Sequence, residues 1–381
     1  MTQPSLPLLR LQPGDPAPWF YAATATNPRY NFSTAAGRYV LLAFLGPAAN
    51  PASAQAVQAL RDARAEGLLD DQNATAFAVS VDAADTEAGL CDALPGLRVF
   101  LDRDGAAVSR LYGLLLPREG DRVDYLPAAF LLDPLLRVIA AVPLVRLPEL
   151  LGQLRRLPPA SRHAGMEVPA PVLVLPRVFE PGLCRRLVEL YEADGGEESG
   201  FMVEREGRTV GIHDHAHKRR RDCLIGDEVL QAAIRARVGR RIAPEMRKAF
   251  QFNPTRIERY IVACYDAADG GHFRAHRDNT TPGTAHRRFA VTINLNDEFE
   301  GGELWFPEFG SRRYRPPAGG AVVFSCSLLH EATPVTRGRR YATLPFLYDD
   351  AGARVREANQ GSLASKEDEA AGALPVAAQG G

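Results

Sequence analysis

Lysine is nearly missing from this chain. Among its 45 Lys and Arg residues only Lys218, Lys248 and Lys366 are lysines, so a run of arginines carries less weight here as a recognition signal. An excess of either charge is missing too: 45 basic side chains face 46 acidic ones. No bulk field points towards nucleic acid or an anionic membrane, and neither is an expected partner. Cysteine is scarce and scattered. Cys91, Cys184, Cys223, Cys264 and Cys326 make no CxxC pair and are odd in number. That argues against a disulfide scaffold and a cysteine-based zinc site, and a reducing cytoplasm is the expected location. Long apolar runs are lacking. The most apolar window, 126–145, is broken by Asp133, Pro134 and Arg137 and cannot span a bilayer. The opening MTQPSLPLLRLQPGD does not read as a signal peptide.

The 381 residues are enough for two domains at roughly 150 residues each. The first half alternates strand and helix signals. Residues 39–45 (YVLLAFL) and 76–81 (AFAVSV) have the length of buried strands, and 53–66 between them has helical spacing at Ala56, Leu60 and Ala63. A strand at 98–101 precedes the turn DRDG, and 128–132 and 137–142 read as a hairpin about Asp133-Pro134. An α/β layer with a mixed sheet is expected over 1–156. The Pro-rich stretch from Leu157 reads as a linker over 157–170. A strand at 172–175, an amphipathic helix at 181–192, a polar loop at 195–221 and a helix at 227–250 follow. From Arg256 the period changes to two, with short β runs at 256–265, 288–295, 302–306, 320–325 and 339–347. Such runs between Gly, Pro, Asn and Asp turns suggest a sandwich or barrel ending near residue 348. The tail from 349 to 381 lacks a periodic pattern and is expected to be disordered.

Chemistry concentrates in GHFRAHRD, residues 271–278. His276 and Asp278 stand two apart, which aims both at one side of extended chain. A third metal ligand is available at His330, just after the apolar run at 321–324. Two histidines and a carboxylate leave coordination positions open, as non-haem Fe(II) oxygenases require, although zinc hydrolysis uses similar ligands. Arg340, at the start of a β run, could grip a carboxylate in bidentate fashion while the other end of the same molecule chelates the metal. A 2-oxo acid with a second carboxylate, 2-oxoglutarate, has that shape.

Three segments, VACYDAADGGHFRAHRDN, NLNDEFEGGELWFP and LLHEATPVTRGRRYA, carry a wider likeness. In them, over about 171–348, the chain resembles the prolyl-4-hydroxylase-like branch of the 2-oxoglutarate/Fe(II)-dependent dioxygenases. The resemblance implies that His276, Asp278 and His330 are catalytic metal ligands for iron, and that Arg340 binds the distal carboxylate of 2-oxoglutarate. It implies that Tyr265 lines the same pocket, and that the fold is a double-stranded β-helix, or jelly roll. It further implies O2 as co-substrate, ascorbate as the reductant that keeps iron ferrous, and hydroxylation of a substrate C–H with succinate as by-product. A peptidyl proline is that family's best-known target. Arg339 competes with Arg340; Arg340 is preferred because it directly precedes Tyr341.

The first half, in LQPGDPAPWF, YVLLAFLG, AFAVSVD, LRVFLDRDGAAVSRLYG and YLPAAFLLDP, looks like a peroxiredoxin or thioredoxin-fold domain. The peroxidatic cysteine of that family follows the strand, where this chain reads GPAANPAS at 46–53 and has no thiol. Without a thiolate there is no nucleophile for a peroxide. The resemblance also suggests a cis peptide bond at Leu126-Pro127.

Other features have ordinary explanations. His213, His215 and His217 alternate, but a loop near the site is favoured over a second metal centre. Lys218-Arg219-Arg220-Arg221 is read as a solvated face, His272 as a rim residue, and Cys264 and Cys326 as buried small side chains. The expected function is a 2-oxoglutarate- and Fe(II)-dependent dioxygenase, with a protein substrate favoured over a free metabolite by the fused first domain. The rival is a non-catalytic binding or sensing protein with a degenerate redoxin module.

Overall fold

The computed structural model describes residues 9–46, 50–87, 89–118, 123–205 and 207–363. The chain divides into two compact units, Met1–Pro169 with Pro307–Ser311, and Ala170–Phe306 with Arg312–Gly381.

The first unit is built on five strands: β1 (Tyr39–Phe44), β2 (Ala74–Ser80), β3 (Leu97–Leu101), β4 (Ala128–Leu132) and β5 (Val138–Pro143). Their order is β3-β2-β1-β4-β5. The pairs β1/β2 and β2/β3 are parallel, and β4 and β5 run antiparallel as a hairpin. All residues of β1 and β2 are buried, because strands covered on both faces need continuous apolar sequence. Helix α1 (Pro51–Ala65) starts with the Asn50 side chain accepting from the Ala52 amide and with Pro51 in its first turn. Its buried Ala56, Leu60 and Ala63 join Leu147, Leu150 and Leu151 of α2 (Leu147–Leu154) in one apolar cluster with β1 and β2. Aromatic rings gather around Phe77, which stacks on Phe100 at 4.7 Å and meets Phe32 edge-on. The expected cis bond is corrected: it is Leu94–Pro95 that is cis, not Leu126–Pro127.

The second unit holds two antiparallel sheets, the arrangement of a jelly roll. The larger runs β6 (Leu173–Leu175), β7 (Glu197–Glu198), β9 (Arg221–Leu224), β10 (Ile261–Asp266), β12 (Phe289–Asn294), β15 (Ala321–Ser325) and β17 (Val335–Thr343), in spatial order β6-β15-β12-β17-β10-β9-β7. The smaller contains β8 (Lys218–Arg219), β11 (His272–His276), β13 (Leu304–Trp305), β14 (Arg313–Tyr314) and β16 (His330–Ala332), in order β8-β11-β16-β13-β14. Helix α3 (Pro181–Asp194) buries Cys184, Leu187 and Tyr191. The helix expected over 227–250 is two: α4 (Glu228–Arg237) and α5 (Ala243–Phe250), joined by a wide π turn over Val238–Ile242. Pro244 lacks the amide that would continue a regular ladder there.

Two further expectations fail in this unit. The polar stretch 195–221 is not a loop throughout, since Phe201–Arg205 and Arg208–Ile212 pair as an antiparallel hairpin. The disordered tail expected from 349 begins instead with helix α6 (Asp350–Ala358), whose start is capped by the Asp349 side chain accepting from the Gly352 amide. Residues 364–381 lie outside the described residues.

Phe77→Ala removes a ring packed against three others in the first unit. It should cost about 3–5 kcal/mol, read as a lower urea midpoint for that unit with the slope unchanged.

Candidate metal centre

Strand β11 lies antiparallel to β16, and the register sets His276 opposite His330. Asp278 follows the end of β11 and is tied down by its amide, which donates to the Cys326 carbonyl at 3.0 Å. His276 Nε2 lies 3.6 Å from Asp278 Oδ1, and His330 Nε2 lies 3.4 Å from Asp278 Oδ2. One donor atom from each of the three falls within 4.8 Å of the others, the spacing of a cation-sized gap, and among the described residues no other group of His, Cys, Asp and Glu does so.

Hydrogen bonds fix which nitrogen each imidazole offers. His276 Nδ1 donates to the Arg274 carbonyl at 2.7 Å and His330 Nδ1 to the Leu328 carbonyl at 3.0 Å. Carbonyls only accept, so each Nδ1 carries a proton and each Nε2 faces Asp278. Burial, with His330 beside it, pushes the His276 imidazole down to about 4. Burial opposes the charge on Asp278, but His330 and His276 outweigh it and hold its carboxyl well below the usual range. Two imidazoles that present Nε2 and one carboxylate are a donor set suited to a divalent metal. Phe273 stacks on His276 at 3.5 Å, and Phe306 and Phe324 flank His330, so one side of the gap is apolar.

The remaining sequence candidates divide by strand face. Tyr265 on β10 pairs with Arg340 on β17; both are buried, and the guanidinium carbon lies 5.3 Å from the ring centre. Arg340 Nε donates to Asn294 Oδ1 at 3.1 Å. Its close approach depends on Gly302, whose φ is +65° and where a Cβ would come within 3.0 Å of Arg340 Cδ and 2.8 Å of Val335 Cγ2. Arg339 points the other way. It is half exposed, bonded to Asp266 at 2.7 Å, and lines an outer cleft of about 560 Å³ that does not contain the three clustered residues.

His213 and His215 are exposed and both face Glu198, at 3.4 and 2.5 Å. His217 turns inward against Phe201 and Phe273, and burial lowers its pKa. His272 is engaged by the carbonyls of Gly270 and Ala216 and stays out of the cluster. Cys264 and Cys326 are buried as expected, and burial beside Asp278 pushes the Cys326 thiol well up.

The basic run at 218–221 was only half legible. Arg219 and Arg221 are exposed, but Lys218 and Arg220 are buried. Lys218 Nζ donates to Ser199 Oγ at 2.7 Å and to the Gly200 carbonyl at 2.5 Å, and burial pushes its pKa down to about 5. Arg220 donates through Nε and Nη2 to the two oxygens of Asp222, at 2.7 and 2.6 Å. The signal for this was the alternation of a strand, which turns every second side chain inward.

Residues 260–348 match the model of the 2OG-Fe(II) oxygenase superfamily, and residues 13–141 match that of the AhpC/TSA family. The chain thus carries a 2OG-Fe(II) oxygenase domain in its C-terminal half and an AhpC/TSA domain in its N-terminal half. A PKHD-type hydroxylase of Cupriavidus metallidurans is 38% identical over 96 residues, 22% of this chain; the chain covers only 42% of that relative. Among solved structures, the chain is similar to a prolyl hydroxylase from Trichoplax adhaerens in complex with a hypoxia inducible factor peptide fragment. That match has 18% identity and a TM-score of 0.37, covering 49% of this chain and 86% of the other. It is also similar to a PrxQ mutant from Xylella fastidiosa, with 16% identity and a TM-score of 0.32 over 38% of this chain and 96% of the other.

Asp222 predicts a pH dependence. Burial would raise its pKa, but Arg220 outweighs burial and holds the carboxyl down to about 2. An unfolded aspartate titrates near 3.9, so the stabilisation is complete above about pH 4 and is lost as pH falls towards 2, in total about 2–3 kcal/mol. Urea denaturation at stepped pH should show that loss, and Asp222→Asn should flatten it.

Proposed function

We propose that the second unit is a 2-oxoglutarate- and Fe(II)-dependent dioxygenase that hydroxylates a C–H bond of a protein side chain, a peptidyl proline being the first candidate. The observation that carries this reading is the convergence of His276, Asp278 and His330 on one gap, with both Nε2 atoms turned inward. Bound Fe(II) would supply the redox chemistry by which O2, 2-oxoglutarate and R–H give succinate, CO2 and R–OH. His276, Asp278 and His330 would hold the metal and leave positions open for exchangeable ligands. Arg340 would pair with the distal carboxylate of 2-oxoglutarate in a dry setting, where a guanidinium–carboxylate pair is strongest. Tyr265 would form the adjoining wall. Phe273, Phe306 and Phe324 would keep water from the apolar side. Ascorbate is the reductant we assign for keeping the iron ferrous.

The first unit is proposed to bind rather than to react. The stretch 46–53 contains no cysteine, and this is the observation that favours a recognition role for the unit. A recognition module on the same chain is also the reason for preferring a protein substrate over a free metabolite.

Incubating the protein with Fe(II), 2-oxoglutarate and O2 should yield succinate even before the substrate is known. His276→Ala or Asp278→Ala should abolish it and leave far-UV circular dichroism nearly unchanged. Undiminished turnover in either variant would remove that residue from the mechanism.

Arg340→Ala should weaken 2-oxoglutarate binding roughly thirtyfold or more, since stranding a buried charge costs about 2–5 kcal/mol. Arg339→Ala should be mild, because its partner is Asp266 on the outer side. Isothermal titration of both variants checks the assignment, and the reverse order of losses would place the co-substrate on the wrong face.

A further inference from the structure

Arg220 is a buried cation that this mechanism leaves unused. It is 5% exposed. Asp222 clamps it from one side through two short bonds, and Ser199 Oγ takes another from Nη2 at 3.0 Å. Ser199 in turn donates to Asp222 Oδ2 at 2.6 Å and accepts from Lys218 Nζ. The guanidinium is therefore fixed on its plane with one arm left over. That arm, Nη1, donates to the Tyr265 hydroxyl at 3.4 Å, the longest of these contacts. Two guanidinium carbons approach the Tyr265 ring, that of Arg220 at 5.8 Å and that of Arg340 at 5.3 Å from its centre.

The polarity of this arrangement is determined by chemistry. A guanidinium donates and never accepts, so the Tyr265 oxygen must be the acceptor towards Arg220. Its own proton has to go to something else, and Arg340 cannot take it either, being another pure donor. Tyr265 and Arg340 are register partners across β10 and β17, so the hydroxyl proton and the free arms of Arg340 serve one small volume. Only an anionic or acceptor-rich group satisfies both. An arginine already neutralised by Asp222 adds little net charge to that volume; what it adds is direction.

We infer that Arg220 is a positioning residue that acts through Tyr265: it turns the tyrosine hydroxyl into a fixed hydrogen-bond donor to the same carboxylate that Arg340 grips. This rests on the co-substrate reading proposed for Arg340 and deepens it. The pocket then has two donors of different kinds, a charged fork from β17 and an oriented hydroxyl from β10. The run at 218–221 serves the co-substrate through its inward members.

The test measures 2-oxoglutarate affinity by isothermal titration with Mn(II) in place of iron, so that nothing turns over. Tyr265→Phe should weaken binding about tenfold, and the loss should vanish for pyruvate, a 2-oxo acid without the distal carboxylate. Arg220→Gln paired with Asp222→Asn replaces the clamp by a neutral pair and avoids a stranded charge. It should give a comparable loss, and adding Tyr265→Phe should cause no further one. In turnover, KM for 2-oxoglutarate should rise more than kcat falls. Multiplying losses in the combined variant, an equal loss for pyruvate, or unchanged binding in Tyr265→Phe would each overturn the role of Arg220 while leaving the co-substrate reading intact. Failure of the unaltered protein to bind 2-oxoglutarate with Mn(II) would instead overturn that reading, and this inference with it.

Discussion

The pairing of β11 with β16 is the constraint on which the site depends. It puts His276 opposite His330 on adjacent antiparallel strands, close enough that their rings lie 4.3 Å apart. A slip of one residue would send one of them to the other face of the sheet. The register shifts between Phe273 and His276. In a regular strand these two would face opposite ways; the irregularity lets Phe273 stack on His276 instead. Backbone carbonyls then finish what the register begins, by holding each Nδ1 proton and leaving Nε2 to face the carboxylate.

Much of this was legible in the amino-acid sequence, for reasons that can be named. Strands covered on both faces demand unbroken apolar residues, so YVLLAFL and AFAVSV announced the centre of the first sheet. The two-residue period sends Arg339 and Arg340 to opposite faces, and the preference for Arg340 rests on its place before Tyr341; in the fold Arg340 is buried beside Tyr265 and Arg339 lies outside on Asp266. The Gly301-Gly302 pair makes sense only in three dimensions: both have positive φ, and a Cβ on Gly302 would meet Arg340.

What stayed hidden was local structure stabilised by partners distant in sequence. The hairpin at Phe201–Arg205 and Arg208–Ile212 is mostly half-buried with Thr209 as its one buried residue, so no buried apolar face marks it. Helix α6 has few buried side chains of its own, and Gly352 packs so closely on the His286 carbonyl that a Cβ would come within 2.8 Å. Lys218 and Arg220 look like surface residues because arginine and lysine are rarely buried. Their burial becomes intelligible only with Asp222, Ser199 and Tyr265 around them.

Cys326 has a consequence for chemical durability. Its carbonyl anchors the Asp278 amide, so damage to this residue would loosen a corner of the site. Its thiol is fully buried, and burial together with the Asp278 charge keeps it protonated. Oxidants attack thiolates that they can reach, and this sulfur is neither ionised nor accessible. The peptide that holds Asp278 can therefore carry a sulfur atom and still resist peroxide, so the anchor should outlast more exposed thiols such as Cys91 under oxidative stress.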